Sequence, residues 1–203
     1  MKKGLFIVIE GLDGSGSTTQ CELLRNYLDI KGIKAIVTKE PTNNLIGGLI
    51  RGVLTGDWKI NPEGLQLLFS ADRAHHLEKE IIPALQNGVT VICDRYFYSS
   101  LAFGAVDCDI GWLKLLNQQF LNPDISFFLN TNPETCIQRM SSSRVCFELF
   151  ENKEKLAKVL SNYHQLIQEY SDLNLIDAEK DKETILKDIV KKVEELLTNR
   201  SIS

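Results

Sequence analysis

No window of this 203-residue chain approaches the roughly 18 consecutive apolar residues that a membrane-spanning helix requires. The first apolar run, Leu5 to Ile9, ends at Glu10 and is also too short for the apolar segment of a signal peptide. Five cysteines stand at 21, 93, 108, 136 and 146, an odd number with no C-x-x-C pair, which speaks against a disulfide framework and against a closed zinc site. A reduced, cytoplasmic protein is the expectation. Positive charge is not in excess either: 23 Lys and Arg face 27 Asp and Glu, a formal net charge of -4. A dedicated nucleic-acid binder usually carries a basic domain, so that class is disfavoured. Histidines number three. His75 and His76 are adjacent and point about 100° apart on a helix, so with no third ligand in view a metal centre is not indicated.

What is present is ordinary for a globular core, with 43% hydrophobic and 25% charged residues. Short apolar, β-branched runs alternate with longer segments of helical period. Strands are expected at Leu5–Ile9, Ala35–Lys39, Val89–Cys93, Ile125–Leu129 and Leu173–Ile176. Helices are expected at Thr18–Lys31, Ile110–Leu121, Pro133–Met140 and Lys182–Leu197, with a further long helix reaching about Tyr170. Another long helical pattern runs from Pro62 to Leu85, with Pro83 expected to bend or end it. Near-continuously apolar strands are buried on both faces, and their alternation with helices implies parallel βαβ units. The expected fold is therefore α/β, a five-stranded, mostly parallel sheet flanked by helices in one domain over 1–203. Ser141 to Ser143 opens a polar loop, and residues of about 141–152 are expected to be its mobile element.

The strongest local signal follows the first strand: Gly11, Leu12, Asp13, Gly14, Ser15, Gly16, Ser17, Thr18 and Thr19. A strand, a glycine-rich turn and a hydroxyl-bearing helix start form a cradle in which backbone N–H groups converge on phosphate oxygens. The spacing is that of G-x-x-x-x-G-K-[ST], with Ser17 where the lysine belongs and Thr18 at the hydroxyl position that ligates Mg²⁺. An unliganded, capped glycine turn is the alternative. A second signal is Asp94-Arg95 at the end of a buried strand, the edge at which open α/β sheets bind ligands. Asp94 is suited to hold a Mg²⁺ shell and Arg95 to clamp a phosphate, the alternative being a surface ion pair. Arg139 and Arg144 flank the polar loop, where an arginine-bearing lid would supply charge to a transferring phosphoryl group. No general base stands out. A nucleoside monophosphate acceptor needs none, because its phosphate oxygen is already anionic at neutral pH.

These pieces together resemble the thymidylate kinases, over nearly the whole chain. The matching segments include Gly11 to Gly16, Glu40-Pro41-Thr42, Ile50-Arg51, Leu67 to Arg73, His76 to Lys79, Ile82 to Leu85, Asp94-Arg95-Tyr96, Ser99 to Ala102 and Leu175 to Ala178. The resemblance implies a P-loop kinase architecture with a short lid. It also implies transfer of the ATP γ-phosphoryl group to dTMP, with Mg²⁺, by a homodimer acting on small nucleotides rather than on nucleic acid or membranes. Phe69 would stack on thymine and Arg73 would hydrogen-bond its edge. Arg51 and Arg95 would hold the dTMP phosphate, and Asp13 would reach toward the sugar 3′-hydroxyl. Phe103 would lie near C2′, with Ser99, Ser100 and Phe150 also lining the acceptor site. The catalytic set would be Asp13 and Arg95 with Arg144 or Arg139, since Gly14 and Ser15 leave the loop without a basic residue; Arg139 would also face ATP.

The chain departs from this family's pattern at four places. Ser17 lacks the loop amine, Gly104 stands where a polar side chain is common, Asn130 where a strand-end aspartate is usual, and Phe150 where tyrosine is often seen. Two other readings follow from the residues. One is a P-loop kinase for another nucleoside monophosphate or for a deoxynucleoside, the latter needing Glu40 or Asp94 as base. The other is a nucleotide-binding module impaired in catalysis by Ser17. Of seven arginines, five fall in the expected site: Arg51, Arg73, Arg95, Arg139 and Arg144.

Overall fold

A computed structural model describes residues 4–141 and 149–202. Five strands form one sheet in the order β2-β3-β1-β4-β5, with β1 Phe6–Gly11, β2 Ala35–Lys39, β3 Thr90–Asp94, β4 Ile125–Asn130 and β5 Leu173–Asp177. All four pairings are parallel. The nine α-helices of the described residues are α1 Ser17–Ile30, α2 Leu45–Leu54, α3 Pro62–His76, α4 Ile82–Gln86, α5 Phe97–Gly104, α6 Ile110–Asn117, α7 Pro133–Ser141, α8 Leu149–Glu169 and α9 Lys182–Ile202. None is long and apolar enough to cross a membrane.

Both faces of the sheet are covered, which is why its central strands are buried along nearly their whole length and mostly apolar. Alternate residues of β1 go to opposite sides. Phe6 and Val8 enter a core with Tyr98, Leu101, Val159 and Tyr163 from α5 and α8. Ile7 and Ile9 enter a second core with Leu24 and Leu28 of α1 and Ile189 and Val193 of α9. β3 lies between β2 and β1, with Ile9 opposite Asp94 in register. The carboxyl ends of β1 and β3 are thereby adjacent, and the glycine-rich loop and the Asp94-Arg95 pair leave the sheet side by side.

Three details differ from the periodic reading. The segment from Pro62 is not one regular helix: a π-helical turn over Leu77–Ile81 separates α3 from α4, and Pro83 lies in the first turn of α4. A proline is tolerated there because the first-turn N–H groups of a helix have no intrahelical acceptor. The helix from Ile110 stops at Asn117 rather than Leu121. Helices α2 and α5 stand outside the expected elements: α2 contains two weak helix formers, Gly47 and Gly48, and α5 carries no stripe because six of its eight residues are buried. Around the expected lid, Ser141 closes α7 and residues 149–152 lie in α8, leaving 142–148 outside the described residues.

Helix α2 sits against the loop after β2. A Cβ on Gly47 would lie 1.9 Å from the Thr42 carbonyl oxygen, so only glycine permits the approach. The same loop is held from the other side by Asp72, which accepts from the Thr42 amide at 2.7 Å and its hydroxyl at 2.6 Å. We expect Gly47→Ala to destabilise the fold by about 2 kcal/mol, the usual cost of overpacking. Urea unfolding would check this; an unshifted midpoint would show that α2 is free to move away from the loop.

Candidate active site

The loop after β1 turns through two glycines in left-handed conformation, Gly14 at φ 84° and Gly16 at φ 97°, and α1 begins at Ser17. The amides of the first helical turn have no intrahelical acceptor and carry the positive end of the helix dipole, so this is a place for anionic oxygens. Gly14 is closely covered: a Cβ there would lie 2.5 Å from the Cys136 carbonyl of α7. The Thr18 hydroxyl donates to Oδ2 of Asp94 across the β1–β3 edge. Oδ1 of Asp94 and the Ser15 hydroxyl are buried and have no protein partner. Buried polar atoms left in this condition are costly unless something else satisfies them.

Arg95 is the one non-glycine residue among those described with positive φ, at 70°. That conformation costs on the order of 1–3 kcal/mol for a residue with a side chain. It is held by what the guanidinium reaches. Nη1 donates to the Gly11 carbonyl at 2.7 Å and to the Ser99 hydroxyl, and Nη2 pairs with Asp13 at 2.8 Å. Loss of solvent works against the charged guanidinium, but Asp13, with Tyr163, Glu10 and Asp94, raises its pKa above the ordinary value. The group is a fixed cation at the loop's edge.

Beneath it lies Glu10, fully buried at the penultimate position of β1. Its carboxyl accepts from the Tyr96 amide at 2.9 Å, the Ser99 amide and hydroxyl, and the Tyr163 hydroxyl at 3.0 Å. Burial pushes its pKa up to about 7, against the lowering effect of the Ser99 bond and of Arg95. No sequence signal assigned it a role; the only hint was an acid closing an otherwise apolar strand.

A cavity of about 330 Å³ opens beside Arg95. Of the residues expected on the acceptor side, Asp13, Phe69, Arg73, Arg95, Ser99, Ser100 and Phe103 all line it. Phe103 also lies under the Arg95 guanidinium, at 5.1 Å. Arg73 is 1% exposed and pinned from several sides: Nε to Glu40 at 2.9 Å, Nη2 to Ser100 and Glu40, and Nη1 to Asn117. His76 completes the arrangement, bridging Glu40 through Nδ1 and Thr38 through Nε2 at 2.7 Å. It is thus a buried support and not a metal ligand. Asn117, which closes α6 and is held by the Leu113 carbonyl, was not legible as a site residue.

Other expectations fare differently. Arg51 does not line the cavity; its guanidinium donates to the Thr42 carbonyl. Arg139 reaches the loop, with Nη1 on the Ser15 carbonyl at 3.2 Å and Nη2 on that of Ala178. Ser17 is buried at the start of α1. Leu12 is buried in the core under the loop, while Thr19 is exposed on the first turn of α1. Arg144 and the side chain of Phe150 lie outside the described residues.

A glycine loop between a central parallel strand and a helix, an aspartate on the neighbouring strand, and an arginine-flanked cavity together define a P-loop phosphoryl-transfer site. The family model for thymidylate kinase matches residues 9–189. A probable thymidylate kinase of Thermococcus kodakarensis is 41% identical over 202 residues, covering 95% of this chain and 98% of that protein. A probable thymidylate kinase of Methanocaldococcus jannaschii is 37% identical over 94% of this chain and 96% of its own length. A thymidylate kinase of Brachyspira hyodysenteriae is 37% identical over 95% of each. The chain belongs to the thymidylate kinase family.

The Glu10 cluster makes a prediction about pH. Its folded-state pKa of about 7 lies above the 4.5 ordinary for a solvated glutamate carboxyl, so the folded protein keeps a proton that the unfolded chain releases. The stabilising contribution is full below the lower value and is lost as pH rises toward the upper one. In Glu10→Gln the new amide can donate to Ser99 and Tyr163, whose hydroxyls accept as readily as they donate. Relative to the parent, the variant should therefore gain stability between these two pH values. Parallel curves of unfolding free energy against pH would show that Glu10 is ionised throughout.

Proposed function

We propose that this protein transfers the γ-phosphoryl group of ATP to dTMP, giving ADP and dTDP, at the cavity beside Arg95. The observation that carries the reading is the joining of two half-sites at one sheet edge. Arg95 bonds the glycine loop at Gly11 and Asp13 and also lines the cavity that holds Phe69 and Arg73. Thymine stacks on Phe69, and its edge faces Arg73. The dTMP phosphate sits at Arg95, with Asp13 toward the sugar and Phe103 crowding C2′. Ser99 steadies Arg95, and Ser100 steadies Arg73. Arg51 serves the acceptor phosphate only by leaving the Thr42 carbonyl, and the family likeness also gives Phe150 to the acceptor side.

ATP phosphates lie in the cradle of Gly11, Leu12, Asp13, Gly14, Ser15, Gly16, Ser17, Thr18 and Thr19. With Ser17 in place of lysine, backbone N–H groups, Thr18 and the arginines carry that charge. Mg²⁺ fits the Thr18 hydroxyl and the unpartnered Oδ1 of Asp94, both hard oxygen donors. Among the described residues no cluster of three or more acidic, His or Cys side chains could cage a metal alone, as suits an ion held largely by phosphates and water. When bound, that ion neutralises charge on the phosphates of the donor.

The chemistry asks little of the protein beyond alignment. An anionic oxygen of the acceptor phosphate forms the new P–O bond while the bond between the γ-phosphorus and the bridging oxygen breaks, and the electron pair leaves with ADP. Arg95, Arg139 and Arg144 supply positive charge around the transferring group. A deoxynucleoside acceptor would need a carboxylate to take its hydroxyl proton. Glu40 is closed off by Arg73 and His76, and Asp94 is given over to Thr18 through Oδ2 and to the Mg²⁺ site through Oδ1. The phosphate acceptor is therefore the better fit.

The exposed leucines Leu45, Leu49 and Leu67 on the mutually packed α2 and α3 suit a homodimer. The unpaired cysteines Cys21, Cys93, Cys108 and Cys136 suit the cytoplasm. ADP release measured with ATP, Mg²⁺ and dTMP tests the main reading, and a rate at background would sink it. Asp94→Asn should lower kcat by about 100-fold or more and raise the Mg²⁺ concentration needed for half-maximal rate. An unchanged Mg²⁺ requirement would take Asp94 out of the metal site.

A further inference from the structure

Arginine has donors only, and four of the contacts made by Arg73 are already inside the protein. The imide N–H of a pyrimidine-2,4-dione needs an acceptor, which Arg73 can never offer. The Glu40 carboxylate is an acceptor, but it is occupied by Arg73 and His76. Two cavity-lining side chains carry a buried oxygen with no partner, Gln66 and Tyr96. The Tyr96 side chain is wholly buried, its ring packed against Phe6 and Phe97 and under the Arg73 guanidinium at 5.0 Å, whereas Gln66 shares a helical stripe with Phe69. That leaves the carboxamide of Gln66.

Gln66, Phe69 and Arg73 lie at i, i+3 and i+7 on α3, so one stripe of the helix faces the cavity with an amide, a ring and a cation. Gln66 is 7% exposed, and its carboxamide is seated against Gly104 of α5. A Cβ at Gly104 would stand 3.0 Å from Cδ and 3.1 Å from Oε1 of Gln66. The absence of a side chain at 104 is what lets the carboxamide lie there. An unpaired carbonyl oxygen so deeply buried is costly without a ligand, and the cavity is where a ligand would come from.

We propose that Gln66 is a specificity-determining residue, its carboxamide oxygen accepting the imide N–H of the pyrimidine base stacked on Phe69. It rests on the reading of the cavity as the dTMP site, and refines it. The role selects 2,4-dioxopyrimidines, which offer N–H at position 3, over cytosine, which offers a lone pair there.

The test compares the parent with Gln66→Met, a change that keeps volume and removes the amide. Steady-state kinetics are measured with dTMP and with dCMP. We expect KM for dTMP to rise about tenfold with kcat within about threefold, and the preference for dTMP over dCMP in kcat/KM to fall at least about tenfold. If Gln66 only fills space beside Gly104, the isosteric variant keeps the parental preference, and that result overturns the proposal. Should the variant fail to fold, binding of dTMP and its N3-methyl derivative to the parent protein decides the matter. Weaker binding of the methylated nucleotide by about tenfold or more supports the contact, and equal binding overturns it. Absence of dTMP turnover by the parent would instead sink the substrate reading, without bearing on which atom Gln66 offers.

Discussion

The interaction on which the rest of the site depends is the seating of one buried carboxyl, Glu10, at the end of the central strand. It gathers two backbone amides of the segment after β3 and the hydroxyls of Ser99 and Tyr163, from α5 and α8. Three elements distant in sequence are thereby fixed to β1 within one hydrogen-bond length of each other. The Tyr163 ring is in turn stacked on Phe128 of β4 at 4.3 Å. Arg95 stands directly above this cluster, and its left-handed backbone is tolerable because the residues on either side of it are anchored: Asp94 in the sheet, Tyr96 on Glu10. Replacing a buried group of this kind by an apolar one would leave several donors unpaired at once, each costing about 1–3 kcal/mol.

A second cluster holds the other half of the site in the same manner. Glu40 is gripped by Arg73 and His76, and Asn117 and Ser100 take the remaining reach of the arginine. Such a network is weak evidence for stability, because taking the charges out of water offsets most of their attraction. Its effect is geometric: a guanidinium pinned on three sides presents one fixed face to the cavity. The two clusters meet at Tyr96, whose amide is on Glu10 and whose ring lies under Arg73, and both brace α5, the first at Ser99 and the second at Ser100. This short buried helix is the common wall of the phosphate and base regions.

Much of this was legible in the chain. Alternating apolar runs and helical stripes gave the parallel sheet, since strands buried on both faces leave an unmistakable pattern. The glycine loop and the Asp94-Arg95 pair are local signals whose chemistry requires those residue types at that spacing. What escaped was what depends on distance. Glu10 meets Ser99 and Tyr163 at separations of 89 and 153 residues. Asn117 reads as an ordinary helix end until Arg73 is beside it. Gln66 matters only because Gly104 is bare. Helix α5 gives no stripe because it is buried nearly all round, and the turn at Leu77–Ile81 changes register without any sequence punctuation. Arg51, expected in the site from likeness alone, is instead bound to the backbone of the loop that α2 abuts.

The close cover of Gly14 by the Cys136 carbonyl has a consequence for where positive charge can enter. A side chain at that point of the loop would have to displace α7, and its backbone angle disfavours any residue but glycine. The loop is thus closed to a cation of its own at position 14. If donor phosphates lie in the loop as proposed, charge on that side comes from the helix lying over it, where Arg139 already touches the Ser15 carbonyl. On that reading, the positive charge at the loop depends on how α7 is seated.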